Sequence, residues 1–175
     1  MATFELQFPA SEIDAIANRA GYEDSPSLMA AGAAARTRGH YTRDEFIAVC
    51  AAKTVRSRPK VASNTEAAVA DATGRAFASD DEAIRMSALL ELNGVGVPTA
   101  STLLYCSFPS DYPILDVRAL ESLGITSRST YPVKFWLEYL SACRELARSS
   151  GVSIRTLDKA LWQHSKERSA ARLGD

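Results

Sequence analysis

The chain has 175 residues, 46% of them apolar and 23% charged, with a net charge of -1. That length suits one globular domain, residues 1–175, and the balance of apolar and charged residues excludes a disordered or fibrous class. The first residues carry no basic stretch followed by an apolar run, and nowhere does the chain approach the ~20 apolar residues that cross a bilayer. Neither secretion nor membrane insertion is expected; a cytoplasmic, monomeric protein is. Cys50, Cys106 and Cys143 are odd in number and far apart, which fits reduced, independent thiols, and His40 and His164 add no cluster at ligand spacing. No metal site is expected.

Helix punctuation recurs along the chain and strand alternation is almost absent. Ile13, Ile16, Ala17 and Ala20 lie on one helical face. Ser25-Pro26 reads as an N-cap with a first-turn proline, and Gly39 stands where that helix stops. Thr42 with Glu45, and Ser79 with Glu82, have the spacing of capping boxes, which open helices of roughly 43 to 56 and 80 to 92. Asn64 is placed to cap a helix running through Ala76. After Pro132, the run Phe135, Leu137, Leu140, Cys143 and Ala147 supports a long helix ending before Gly151. A last one starts near Ser153 and carries Ile154, Leu157 and Leu161. Some eight or nine helices joined by short loops predict an all-α domain.

Charge is unevenly spread. The pI near 6.1 argues mildly against a nucleic-acid protein, because phosphate binding is largely electrostatic. Yet Lys53, Arg56, Arg58 and Lys60 form a run with no acid among them, and Arg144, Arg148, Arg155, Lys159, Lys166, Arg168 and Arg172 enrich the C-terminal part. A solvated face is the default reading of such runs.

From Ala88 the chain reads as an apolar helix end, a turn Asn93-Gly94-Val95-Gly96, and a second apolar helix. Glycines let a backbone turn sharply and approach another molecule, and the start of the second helix offers unpaired N–H groups to a phosphate. The arrangement, about residues 82–107, resembles the DNA-binding helix-hairpin-helix. The segment 108–116 follows, ending Tyr112-Pro-Ile-Leu-Asp116. A second helix of about ten residues carries the chain ~15 Å away. An extended loop of about eight residues is long enough to bring it back. Asp116 is also an excellent N-cap for a helix from Val117 to Leu123.

Hairpin and aspartate together resemble the superfamily of base-excision DNA glycosylases named for a helix-hairpin-helix, a Gly/Pro-rich loop and an aspartate. The Pro-Ile-Leu-Asp loop is closest to the adenine-removing branch, and Asp116 lies 18 residues beyond Pro98, the family's own interval between hairpin position and aspartate. The shared stretch runs from about Leu89 to Leu123. The resemblance implies a compact multi-helix glycosylase fold and hydrolysis of the N-glycosidic bond of a flipped, damaged or modified base in double-stranded DNA. Asp116 would then stabilise the charge growing on the sugar and activate water.

Further expectations follow for the site. Gly94, Val95, Gly96 and Thr99 at the hairpin, with Lys53, Arg56, Arg58, Lys60 and Arg118, are expected to contact DNA. Tyr112, Trp162, Gln163 and Asn64 are the candidates for holding the base, with core packing the competing role for the aromatics. The resemblance also implies a monovalent cation on hairpin carbonyls such as those of Leu90, Leu92 and Val95; no other cofactor is required. Bifunctional members of the superfamily carry a lysine at the hairpin position occupied here by Pro98, so strand cleavage by that route is not expected. The acidic pI and a first half shorter than in the classical enzymes also suit a non-catalytic helix-hairpin-helix module, or a protein-interaction domain of the same fold.

Overall fold

The computed structural model describes residues 2 to 174; of the C-terminal basic residues, the Arg172 side chain lies outside that description. The described residues form ten α-helices and two short 3-10 turns, with no strand. In chain order the helices are α1 (Ile13–Asn18), α2 (Pro26–Arg38), α3 (Arg43–Lys53), α4 (Arg58–Ala62), α5 (Glu66–Ala78), α6 (Glu82–Leu90), α7 (Val97–Ser107), α8 (Val117–Ser122), α9 (Val133–Ser150) and α10 (Ile154–Gly174). No helix among the described residues is long and apolar enough to cross a membrane.

The core is built around α7, whose residues are buried on all sides except at Pro98. An apolar helix with no polar face has to be enclosed by others. It is enclosed by α2, α3 and α6, while α10 packs across α1, α8 and α9. The backbones of α2 and α7 approach closely: a Cβ built at Gly32 falls 2.0 Å from the Cys106 carbonyl oxygen. Tyr41, fully buried, donates its hydroxyl to the Leu103 carbonyl and accepts from Ser107, which satisfies polar groups within this core. The three cysteines are free and buried, and burial pushes the Cys50 and Cys106 thiols up to about 12 and about 11. They are unreactive core residues at neutral pH.

Several predicted helix ends are observed. Thr42 and Glu45 form both halves of their capping box, Gly39 ends α2, and Gly151 ends α9. Others shift. The cap of α6 is Asp81, whose carboxylate accepts from Ala83 and Ile84 at 2.7 and 3.1 Å; Ser79 instead bonds the Asp81 N–H. The helix after Thr42 ends at Lys53, short of residue 56, and the basic run beyond it is a 3-10 turn (Val55–Ser57) followed by α4. The cap of α5 is Thr65, because the neighbouring Asn64 has a tertiary partner.

Candidate functional site

Asp116 is the N-cap of α8, as its residue type predicts: Oδ1 accepts the Arg118 N–H at 2.8 Å. The loop before it returns toward the start of α7. The Leu115 N–H donates to Ser101 Oγ at 2.9 Å, and Ser101 in turn donates to the Pro98 carbonyl at 2.7 Å, so the loop is stitched to the first turn of the helix it left. Two further helices grip the neighbouring residue: the Ile114 carbonyl accepts from the Tyr139 hydroxyl of α9 at 3.0 Å, and its N–H donates to the Asp158 carboxylate of α10. Three helices thus fix the backbone carrying Asp116.

The second oxygen of Asp116, Oδ2, lies 3.0 Å from Lys53 Nζ at the end of α3. Both side chains sit on the wall of a cavity of about 410 Å³, within the size range of small-ligand sites. Its wall also includes Tyr22, Leu28, Thr102, Arg155, Asp158 and Trp162. Arg155 bridges two carboxylates, bonding Asp158 Oδ2 at 2.9 Å and Asp24 through both Nε and Nη2; Asp24 also accepts from Tyr105 at 2.7 Å. Burial pushes the Asp158 carboxyl up to about 7, although Arg155 and the Ile114 N–H both favour its ionised form. Trp162 meets Tyr22 edge to face at 4.9 Å, and the Arg118 guanidinium lies over its ring while also reaching Ser165 and Ser169.

The other residues grouped with Trp162 on sequence lie outside this cavity. Tyr112 is buried on the opposite side of its loop, stacked on Trp136, with its hydroxyl donating to Glu82 at 2.9 Å and accepting from Arg85. Gln163, next to Trp162 on a helix, necessarily points elsewhere, and its Nε2 donates to Glu167. Asn64 is a clamp: Nδ2 donates to the Val61 and Asn93 carbonyls at 2.8 and 3.0 Å, and Oδ1 accepts the Asn93 N–H at 2.9 Å. Asn64→Ala leaves those groups unpaired in a part-buried setting, at a cost of about 1–3 kcal/mol. Thermal unfolding should show Tm falling by several degrees.

The turn joining α6 to α7 is held against α4 by that clamp and by Gly94. Gly94 has φ of 79°, and a Cβ there falls 2.9 Å from the Val61 nitrogen and 3.0 Å from Lys60 Cβ. Val95 and Thr99 are buried, so their side chains belong to the core and only their backbone is available to a partner. The N–H groups of Gly94, Gly96, Val97 and Thr99 donate to no acceptor among the described residues. Lys60 lies beside this turn and is exposed, as are Arg56 and Arg58 in the segment that leads into and opens α4. Unpaired donors, a helix N-terminus and basic side chains therefore share one edge of the molecule, and the same segment begins at Lys53, in the cavity.

The sequence marks Arg155 only as one of the C-terminal basic residues and does not single out Asp158, Ser101 or Tyr139. Asp158 did leave a trace, standing one helical turn after Ile154 on the apolar stripe of α10, where an acid has to find partners. Comparison of the chain with protein-family models, with curated proteins and with solved structures gives no match.

Proposed function

We propose that this protein is a DNA glycosylase-like enzyme that binds duplex DNA along the edge formed by the hairpin turn and the basic segment, and removes the base of a flipped nucleotide inserted in the Asp116 cavity. The observation that carries the reading is the placement of Asp116. A carboxylate immobilised by three helices stands in a concave site, alongside a surface suited to phosphate. Glycosidic bond cleavage builds positive charge on the sugar, and a fixed carboxylate beside it stabilises that charge without reorganising.

Each element has a part in this reading. The turn N–H groups and the N-terminus of α7 take a phosphate, with Arg56, Arg58 and Lys60 on neighbouring phosphates. Trp162 and Tyr22 offer aromatic surface to the base, and Asp158 with Arg155 offers hydrogen-bonding groups to its edge. A monovalent cation, where one binds, would be held by the Leu90 and Val95 carbonyls. Neither accepts a hydrogen bond among the described residues, whereas Leu92 already accepts from Val95. Its charge would draw a phosphate toward the turn.

Gly96 provides the test. Its φ of -103° and ψ of 175° are open to any residue, and a Cβ there meets only Pro98 Cδ, at 3.8 Å. Gly96→Val is expected to fold like the parent yet weaken duplex binding roughly 10-fold or more, the loss of about one charge-assisted hydrogen bond to phosphate. Affinity measured against salt concentration reads this directly; an unchanged affinity and salt slope would remove the hairpin from the DNA surface. Gly94→Val is not an equivalent probe, since it also forces the turn off α4.

A further inference from the structure

The loop that carries Asp116 is tied to α10 by a buried carboxylate. Asp158 is 5% exposed, and its two oxygens share the Ile114 N–H at 3.3 and 3.4 Å. Arg155 Nη1 donates to Oδ2 at 2.9 Å, and the same guanidinium reaches Asp24, in the segment before α2, through Nε at 3.1 Å and through Nη2. Only Leu115 separates Ile114 from Asp116, so the grip on this one N–H bears closely on where the Asp116 backbone sits.

Every group bonded to Asp158 is a donor. A carboxylate suits such a site because it only accepts, whereas a neutral carboxyl adds an O–H to a set of donors. Burial acts the other way and pushes the carboxyl up to about 7, although Arg155, the Ile114 N–H and Lys53 of α3 favour its charged form; Asp116 is the like charge nearby. Tyr139 and Cys143 of α9, Tyr105 of α7 and Tyr22 before α2 also face it. Burial raises all four, so they stay neutral where Asp158 titrates. The charged residues of α8 and α1 meet α10 further along: Arg118 and Glu121 at Ser165, Arg19 at Glu167.

We propose that Asp158 is a positioning residue for Asp116: its carboxylate latches the loop at Ile114 to Arg155, and uptake of one proton by that carboxylate loosens the latch and lowers base release. The effect on base release rests on the glycosylase reading; the latch itself does not. With the proton on, the Ile114 N–H trades a charged acceptor for a neutral one, which roughly halves the strength of that bond, and Arg155 keeps only Asp24 as a charged partner. The Tyr139 bond to the Ile114 carbonyl and the Ser101 bond to the Leu115 N–H remain, so the loop shifts without unfolding.

The test follows the Ile114 amide of the full chain by NMR, without DNA, from about pH 5.5 to about pH 8.5. In the same buffers, initial rates of base release are measured on duplexes that each carry one damaged or modified base. In the parent the Ile114 amide is expected to move with a midpoint near 7, and the rate to fall roughly ten-fold or more toward the acid end with the same midpoint. Asp158→Asn has the same shape and no charge at any pH. It should show neither the Ile114 titration nor the pH dependence, and at the alkaline end its rate should lie roughly ten-fold or more below the parent's. Where Asp158→Asn does not fold, the two midpoints of the parent decide, since they have to coincide. An Ile114 amide that does not titrate, a rate midpoint that differs from the amide's, or the parent's inflection retained in Asp158→Asn overturns the proposal. An Ile114 amide that titrates as expected while no duplex loses its base supports the latch and overturns the glycosylase reading instead.

Discussion

Asp116→Asn is expected to lower base release by roughly a hundred- to a thousand-fold, the usual loss when one preorganised electrostatic group is removed. Stability should barely change. Asn is as good an N-cap as Asp, so the bond from the Arg118 N–H survives. The pair with Lys53 is lost, but its partners are 19% and 31% exposed, and ion pairs with that access to water contribute about 0–1 kcal/mol. Duplex affinity should be retained, since the phosphate-facing groups are untouched. Comparing initial rates, Tm and affinity for one variant separates a chemical role from a capping role: a collapse of Tm, or excision at the parent's rate, assigns Asp116 to structure alone.

The largest expected effect on stability lies far from Asp116 on the chain, at Gly32. A single methyl group there would sit 2.0 Å from the Cys106 carbonyl oxygen and 2.2 Å from its carbon, so α2 and α7 must separate to admit it. Both contacts are backbone, which cannot rotate away as a side chain does. Gly32→Ala should therefore cost about 3 kcal/mol or more, the upper end for overpacked cores, even though alanine is the better helix former by about 1 kcal/mol. For a chain of this size that corresponds to a fall in Tm of ~6–12 °C. Because α7 also carries Ser101, which holds the loop before Asp116, activity measured well below Tm should fall too. A Tm equal to the parent's would mean that the two helices are not in contact at this point.

Local chemistry made much of the fold legible. A capping box, a glycine stop and an Asp cap are decided within four or five residues, and at Thr42, Gly39 and Asp116 they appear as the sequence reads. Adjacent candidates were harder to separate. Asn64 and Thr65 are both good caps; Thr65 takes α5 because the hairpin turn, remote in sequence, takes Asn64. Ser79 and Asp81 compete in the same way, and the carboxylate reaches two first-turn donors. The basic segment reads in the sequence only as a charge run at and beyond the end of the helix from 43 to 56, although Pro59, in a first-turn position, signals α4.

The candidate site divides along the same line. Asp116 and the turn were visible because they belong to one continuous stretch. The partners that turn Asp116 into a cavity wall come from α2 and the segment before it, from α3 and from α10, and no pattern in the sequence links Lys53 or Asp158 to Asp116. Tyr112 lies outside the Asp116 cavity for a geometric reason: neighbours in an extended loop face different ways, and this one faces Trp136.

The most direct test of the central claim is a screen of the intact protein against duplexes that each carry one damaged or modified base, with strand breaks scored before and after alkali. The account predicts that at least one such duplex is cleaved at the modified base, that unmodified duplex is left whole, and that Asp116→Asn abolishes the signal on the same substrate while still binding it. Release of the base at an equal rate by Asp116→Asn, or duplex binding with no base released from any member of the panel, would contradict it.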